Sequence, residues 1–227
     1  MLHLPFALAL ATSPVAEPTE LLPSQPTPNT SELALLAPAA ASMPVADADS
    51  PFSYTYLELG AVSLDVDAID DEADIYYGRA SIELLGFLYV FGEYSNLSID
   101  YKNTDTDLIE LGAGAHVNVV PKLDLFGEVG WLYSDVSSDL SALDDTTNGY
   151  EVFGGARWMV LPWTGGGLEL NGGLGYVDLE NQISSDDKTT FWEVGARVHV
   201  LEMLSVGATY SKLEDDDQVS AGIRLSF

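Results

Sequence analysis

The chain has 227 residues, with 36 Asp plus Glu against 8 Lys plus Arg, a formal net charge of −28, and no Cys. Lack of Cys excludes a disulfide framework, a thiolate metal site and a Cys nucleophile, and so acidic a chain lacks the clustered Lys and Arg that nucleic-acid phosphates require. Its 11 Tyr, 8 Phe and 4 Trp argue for a folded chain, and no apolar run reaches the ~18 residues of a transmembrane helix.

Residues 1–11, MLHLPFALALA, form an apolar run of signal-peptide length, with only the amino terminus and His3 in place of a basic leader. Small-residue processing sites follow Ala16 and Ala46, and both stay open. Residues 12–51 are rich in Pro, Ala, Ser and Thr and show no period of 2 or 3.6; nine of the eleven Pro lie at or before Pro51. That composition predicts a disordered linker. The chain therefore divides into a signal-peptide-like and disordered segment, 1–51, and a folded unit, 52–227.

From residue 53 onward the hydrophobic period is 2. In residues 106–119, Ile109, Leu111, Ala113, Ala115, Val117 and Val119 share one row, and Glu110, Gly112, Gly114, His116 and Asn118 the other. The same test predicts ten strands, near 54–64, 75–85, 87–96, 107–119, 122–134, 149–161, 166–177, 190–201, 204–213 and 218–227. Tight turns at Gly86, at Val120-Pro121, after Leu161 and after Leu201 alternate with polar loops at 65–74, 97–106, 135–148, 178–189 and 214–217. Pro121 and Pro162 fall in the tight turns, where no ladder donor is needed. Short turns on one side and longer loops on the other are the layout of a transmembrane β-barrel.

The two rows differ in chemistry. One carries Glu58, Arg79, Glu83, Glu93, Glu110, Glu128, Glu151, Arg157, Glu169, Glu193, Arg197 and Arg224, with Gly interleaved. Gly weakens a solvated strand but makes room inside a crowded barrel, so this row is placed in the lumen. The other row is apolar, and its Tyr76, Tyr133, Tyr150, Tyr176, Trp192 and Tyr210 gather at the long-loop end, Trp163 and Phe227 at the short-turn end. Aromatic girdles flanking an apolar band mark membrane interfaces. A soluble ten-stranded barrel with the apolar row as its core is the competing arrangement.

The chain ends Ser220-Ala221-Gly222-Ile223-Arg224-Leu225-Ser226-Phe227. This resembles the terminal β-signal of bacterial outer-membrane proteins, with Ser220, Gly222, Leu225 and Phe227 at its pattern positions. Residues 53–227 resemble small outer-membrane β-barrel proteins of the OmpA-like and opacity-like kind. The resemblance implies a signal peptide, export, insertion by the barrel assembly machinery, and an address in the outer membrane of a Gram-negative bacterium among its lipid and lipopolysaccharide. Barrels of that kind typically have eight strands, so the expected all-β, closed antiparallel barrel has about ten strands, with eight as the alternative.

Buried charges are expected to pair, which predicts an Arg–Glu network that plugs the lumen; a narrow cation-preferring, porin-like passage is the alternative. His116 and His199 lie low in their strands with no second ligand at metal spacing and are expected to be hydrogen-bonded. Asp65, Asp67, Asp70, Asp71 and Glu72 are candidates for loose divalent-cation binding. No cofactor is implied. With no His in the long loops, no base stands near a nucleophile there, and the expected role is structural or interactive, without catalysis.

Overall fold

The computed structural model describes residues 50–66, 71–99, 104–137, 145–180, 188–213 and 216–227. Ten strands follow in chain order: β1 (Tyr56–Val66), β2 (Asp71–Glu83), β3 (Leu88–Ile99), β4 (Thr104–Val120), β5 (Leu123–Ser137), β6 (Asp145–Trp163), β7 (Gly166–Glu180), β8 (Lys188–His199), β9 (Leu204–Leu213) and β10 (Asp216–Ser226). Each pairs antiparallel with its chain neighbours, and β1 also pairs with β10, closing the barrel. The count is ten rather than eight, and closure leaves no unpaired edge. Among the described residues, no helix is long and apolar enough to cross a membrane.

Gly86, Pro121 and Gly165 fall in tight turns as expected, but Pro162 does not: β6 runs on to Trp163, and Pro162 pairs with Gly167 just past the irregularity between Met159 and Leu161, at a strand end where a missing ladder donor is tolerated. Gly86 and Gly165 take positive φ, 71° and 78°, which suits a residue without Cβ. Lys122, next to Pro121, also has positive φ. The strands outrun their predicted ends on the long-loop side: β3 reaches Ile99, β5 Ser137 and β7 Glu180. The reason is that alternation continues past the apolar band. Asp105, Asp107 and Asp135 are exposed while Thr106, Leu108, Ser134 and Val136 are buried. An outward Asp costs nothing once the strand has left the apolar zone. The remaining connections, 67–70, 100–103, 138–144, 181–187 and 214–215, lie outside the described residues.

Inside and outside are inverted relative to a soluble barrel. Leu59 and Leu174 are each 71% exposed and Trp131 48%, whereas Arg79 is 2% and Glu110 1% exposed. Between the tyrosine girdle and the short turns, no described outward-facing residue is charged. On the girdle, Tyr150 packs on Tyr176 and Trp192 on Tyr210.

Candidate functional site

The lumen is the candidate site, and register places its side chains. Six large rings point inward, each opposite a Gly on an adjoining strand: Tyr77 opposite Gly60, Tyr89 opposite Gly114, Phe91 opposite Gly112, Phe126 opposite Gly155, and Phe153 and Phe191 on either side of Gly175. A Cβ at Gly112 would strike the Phe91 ring, and one at Gly114 the Tyr89 ring. The interleaved Gly make room in the lumen, as their place on the polar row implies, though not chiefly for Arg and Glu. Most of them seat aromatic rings instead, although Gly130 does lie under the Glu110 carboxylate. Ring packing of this kind fills volume that ionic side chains alone leave open.

A compact ionic cluster shares the lumen with these rings, and Tyr89 and Phe126 line one cavity with its arginines. Glu58 accepts from Arg197 Nη2 at 2.7 Å and from Arg224 Nε at 2.5 Å. Arg157 holds Glu169 through two hydrogen bonds, and His199 Nε2 stands 2.8 Å from the same carboxylate. Arg224 also lies over the Tyr56 ring, 3.8 Å from its centroid. All of these arginines and both glutamates are at most 6% exposed. Planar guanidinium forks satisfy two acceptors at once, which suits a site with no water to spare.

The middle level is richer in carboxylate. Arg79 donates to Glu128 at 2.7 Å and lies 3.5 Å from Glu93. Tyr89 donates its hydroxyl to the same Glu128 oxygen. Glu93 pairs directly across the ladder with Glu110, and Glu110 reaches over Gly130, whose cross-strand partner is Glu151. Glu193 is buried on β8. Above this level an aliphatic set, Val62, Ile75, Leu97, Leu108, Leu132, Val177, Leu179 and Leu213, is buried toward the long-loop side, with Ser95, Thr106, Ser134, Thr147 and Gln218 buried among them. Leu97 and Leu179 fall in the predicted polar loops 97–106 and 178–189, and the layer that they complete forms only when the barrel closes.

The short-turn mouth is also filled. Glu83 sits at that rim, half-exposed, with its carboxylate 3.9 Å from His116. His116 stacks on Tyr54 at 3.8 Å. Tyr54 and Phe52 precede β1 and are nevertheless buried. Of the terminal pattern, Ser220 and Gly222 face the lumen beside β1, Leu225 faces outward, and the Phe227 amide donates to Thr55 O at 3.0 Å.

On the outer surface just above the girdle, tyrosines donate to aspartates: Tyr94 to Asp107 at 2.6 Å, Tyr150 to Asp178 at 2.9 Å and Tyr210 to Asp217 at 2.7 Å. Lys212 also reaches Asp217. Of the cation candidates, Asp67 and Asp70 lie outside the described residues, and Asp65, Asp71 and Glu72 are described in their backbone alone. Among the described residues no group of three or more His, Asp or Glu is arranged to hold a metal ion.

An apolar exterior between aromatic girdles, closed around a polar and ionic lumen, defines the class: a transmembrane-type antiparallel β-barrel. No family model and no curated protein matches the sequence. Among solved structures, the chain is similar to a bacterial polysaccharide outer membrane secretin, with TM-score 0.46 and 11% identity over 78% of this chain; it spans 66% of that chain. It is similar to Neisserial surface protein A, with TM-score 0.44 and 14% identity over 77% of this chain and 98% of that one. It is also similar to the NanC porin, with TM-score 0.49 and 8% identity over 76% of this chain and all of that one.

Proposed function

We propose that the protein is a non-enzymatic barrel of the Gram-negative outer membrane, with a structural or surface-interaction role and a lumen plugged by its Arg–Glu network. The observation that carries this reading is the filling of the lumen. The space left among Tyr56, Arg157, Arg197 and Arg224 is a cavity of about 20 Å³, room for about one water. The charge-free outer band supports the membrane address, and the terminal pattern Ser220, Gly222, Leu225 and Phe227 supports insertion by the barrel assembly machinery. Lipid and lipopolysaccharide are the partners that fit such a surface; nucleic acid is not. Both described barrel histidines are engaged with carboxylates or rings near the short turns, which suits structural roles.

Planar-bilayer recording of the purified barrel tests the plug. Silence at all voltages is expected; stable single-channel steps would remove it. The second reading, a small cation-preferring channel, is favoured by the carboxylate excess at Glu93, Glu110, Glu151 and Glu193, and cation-selective steps would establish it. Divalent cations at the acidic loops are a separate proposal. Heat on calcium addition to refolded protein supports it, and a silent titration at millimolar calcium sinks it.

A further inference from the structure

The segment ahead of β1 has a place in the lumen that strand pairing does not require. Ser50 donates its hydroxyl to Asp124 Oδ2 at 2.8 Å. Phe52 is 5% exposed and Tyr54 3%, burial ordinarily reserved for a core. The Arg157 guanidinium lies over both rings, 4.6 Å from the Phe52 centroid and 5.1 Å from that of Tyr54. The Tyr54 ring stacks on His116 at 3.8 Å and packs against Tyr89 at 4.8 Å, and its carbonyl accepts from Ser81 Oγ at 2.7 Å. Ser53 Oγ donates to the carbonyl of Phe227. The strap therefore touches β2, β3, β4, β5, β6 and the C-terminus, crossing the mouth instead of lining it.

We infer that Ser50–Thr55 is a releasable stopper for the short-turn mouth, closing the lower lumen against small water-soluble molecules from that side. Two features distinguish it from a fixed part of the wall. Its hold comes mainly from side chains: two buried rings and single hydrogen bonds. Its backbone has no continuous ladder; ladder pairing of the barrel begins at Tyr56. A segment held in that way opens at less cost than the barrel unfolds. What it covers is largely polar: behind Tyr54 lies the cavity lined by Arg157, Arg197, Arg224, Asn171 and Thr209, with the Tyr56, Tyr89 and Phe126 rings beside them. Release would join that cavity to the solvent on the short-turn side. The aliphatic layer above would stay in place, so release opens a vestibule and not a through-passage.

The inference rests on the closed-lumen reading, and its test is separate from bilayer recording, because access from one mouth is measured and not conduction. The chain has no Cys, so single cysteines report without background. Asn171→Cys and Thr209→Cys are placed behind the strap and labelled with a small water-soluble methanethiosulfonate, in refolded, heat-modifiable protein. With the native strap, labelling is slow. With Phe52→Ala and Tyr54→Ala added, it accelerates tenfold or more at both positions. Equal rates in the two backgrounds would overturn the stopper. Should the double variant not fold, Ser50→Ala and Ser53→Ala keep both rings and loosen the strap alone. A severalfold acceleration in those variants supports the inference, and an unchanged rate refutes it.

Discussion

Arg157 grips Glu169 in a two-pronged ion pair, Nε to Oε1 at 2.8 Å and Nη2 to Oε2 at 3.1 Å, joining β6 to β7 inside the barrel. Both side chains are almost fully buried, and the guanidinium is shared with the strap carbonyl of Ser53. Removing the arginine leaves a buried carboxylate with His199 as its nearest remaining donor. Arg157→Ala is therefore expected to destabilise the barrel by about 3–5 kcal/mol, the usual cost of breaking one side of a buried pair. Heated-versus-unheated electrophoresis checks it: the temperature at which the folded band disappears should drop clearly. An unchanged melting profile would count against a network that holds register.

How much of this was legible varies with the physics involved. The strand period and the two rows were open to reading, because Ile109 to Val119 alternate without a break. So was the inward placement of Glu and Arg, through the Gly among them. Partner choice was not: the register that sets Arg157 beside Asn171 and Glu169 beside Arg197 is a property of the closed sheet. The strap had a partial signal. Phe52 and Tyr54 continue the inward row of Tyr56 and Glu58 upstream, in phase, and the first predicted strand begins near residue 54, but alternation alone does not show that this stretch leaves the ladder and crosses the mouth. The aliphatic layer escaped because Leu97 and Val177 to Leu179 look like the frayed ends of strands until the barrel brings them together.

The ring-on-glycine packing makes its own prediction. Gly112 faces Phe91, and a Cβ there would meet both that ring and the Val129 carbonyl. Backbone cannot step aside as a flexible side chain can. Gly112→Ala is expected to cost about 1–3 kcal/mol by overpacking, whereas Phe153→Ala leaves a hole and costs ~3–5 kcal/mol. Urea titrations of the refolded variants measure both. Tolerance of Gly112→Ala would mean that the Phe91 ring does not hold the position described.

The outward surface separates membrane from soluble architecture. Val129 is 54% exposed and lies on the outward row between Gly127 and Trp131, which stacks on the girdle residue Tyr133. In water an exposed Val→Lys change falls within about 0.5 kcal/mol of neutral. In lipid, a Lys near the midplane of a barrel costs ~2–4 kcal/mol. Val129→Lys is expected to show the larger loss when folding into bilayers is measured. A neutral outcome there, together with recovery of the protein in the soluble fraction, would end the membrane reading.

The terminal residue distinguishes assembly from stability. Phe227 is 67% exposed, and its main-chain groups bond to the strap: its amide donates to Thr55 O and its carbonyl accepts from Ser53 Oγ. A Phe227→Ala change leaves those backbone bonds possible and removes only a ring that faces outward. The refolded variant should therefore match the parent in stability to within about 1 kcal/mol. In cells the result should differ, because the ring sits at the final position of the pattern that the assembly machinery is expected to read. The heat-modifiable fraction recovered from outer membranes should fall severalfold. Equal recovery in cells would detach Phe227 from any assembly signal. A loss of stability in vitro as large as the loss in cells would make its role one of packing.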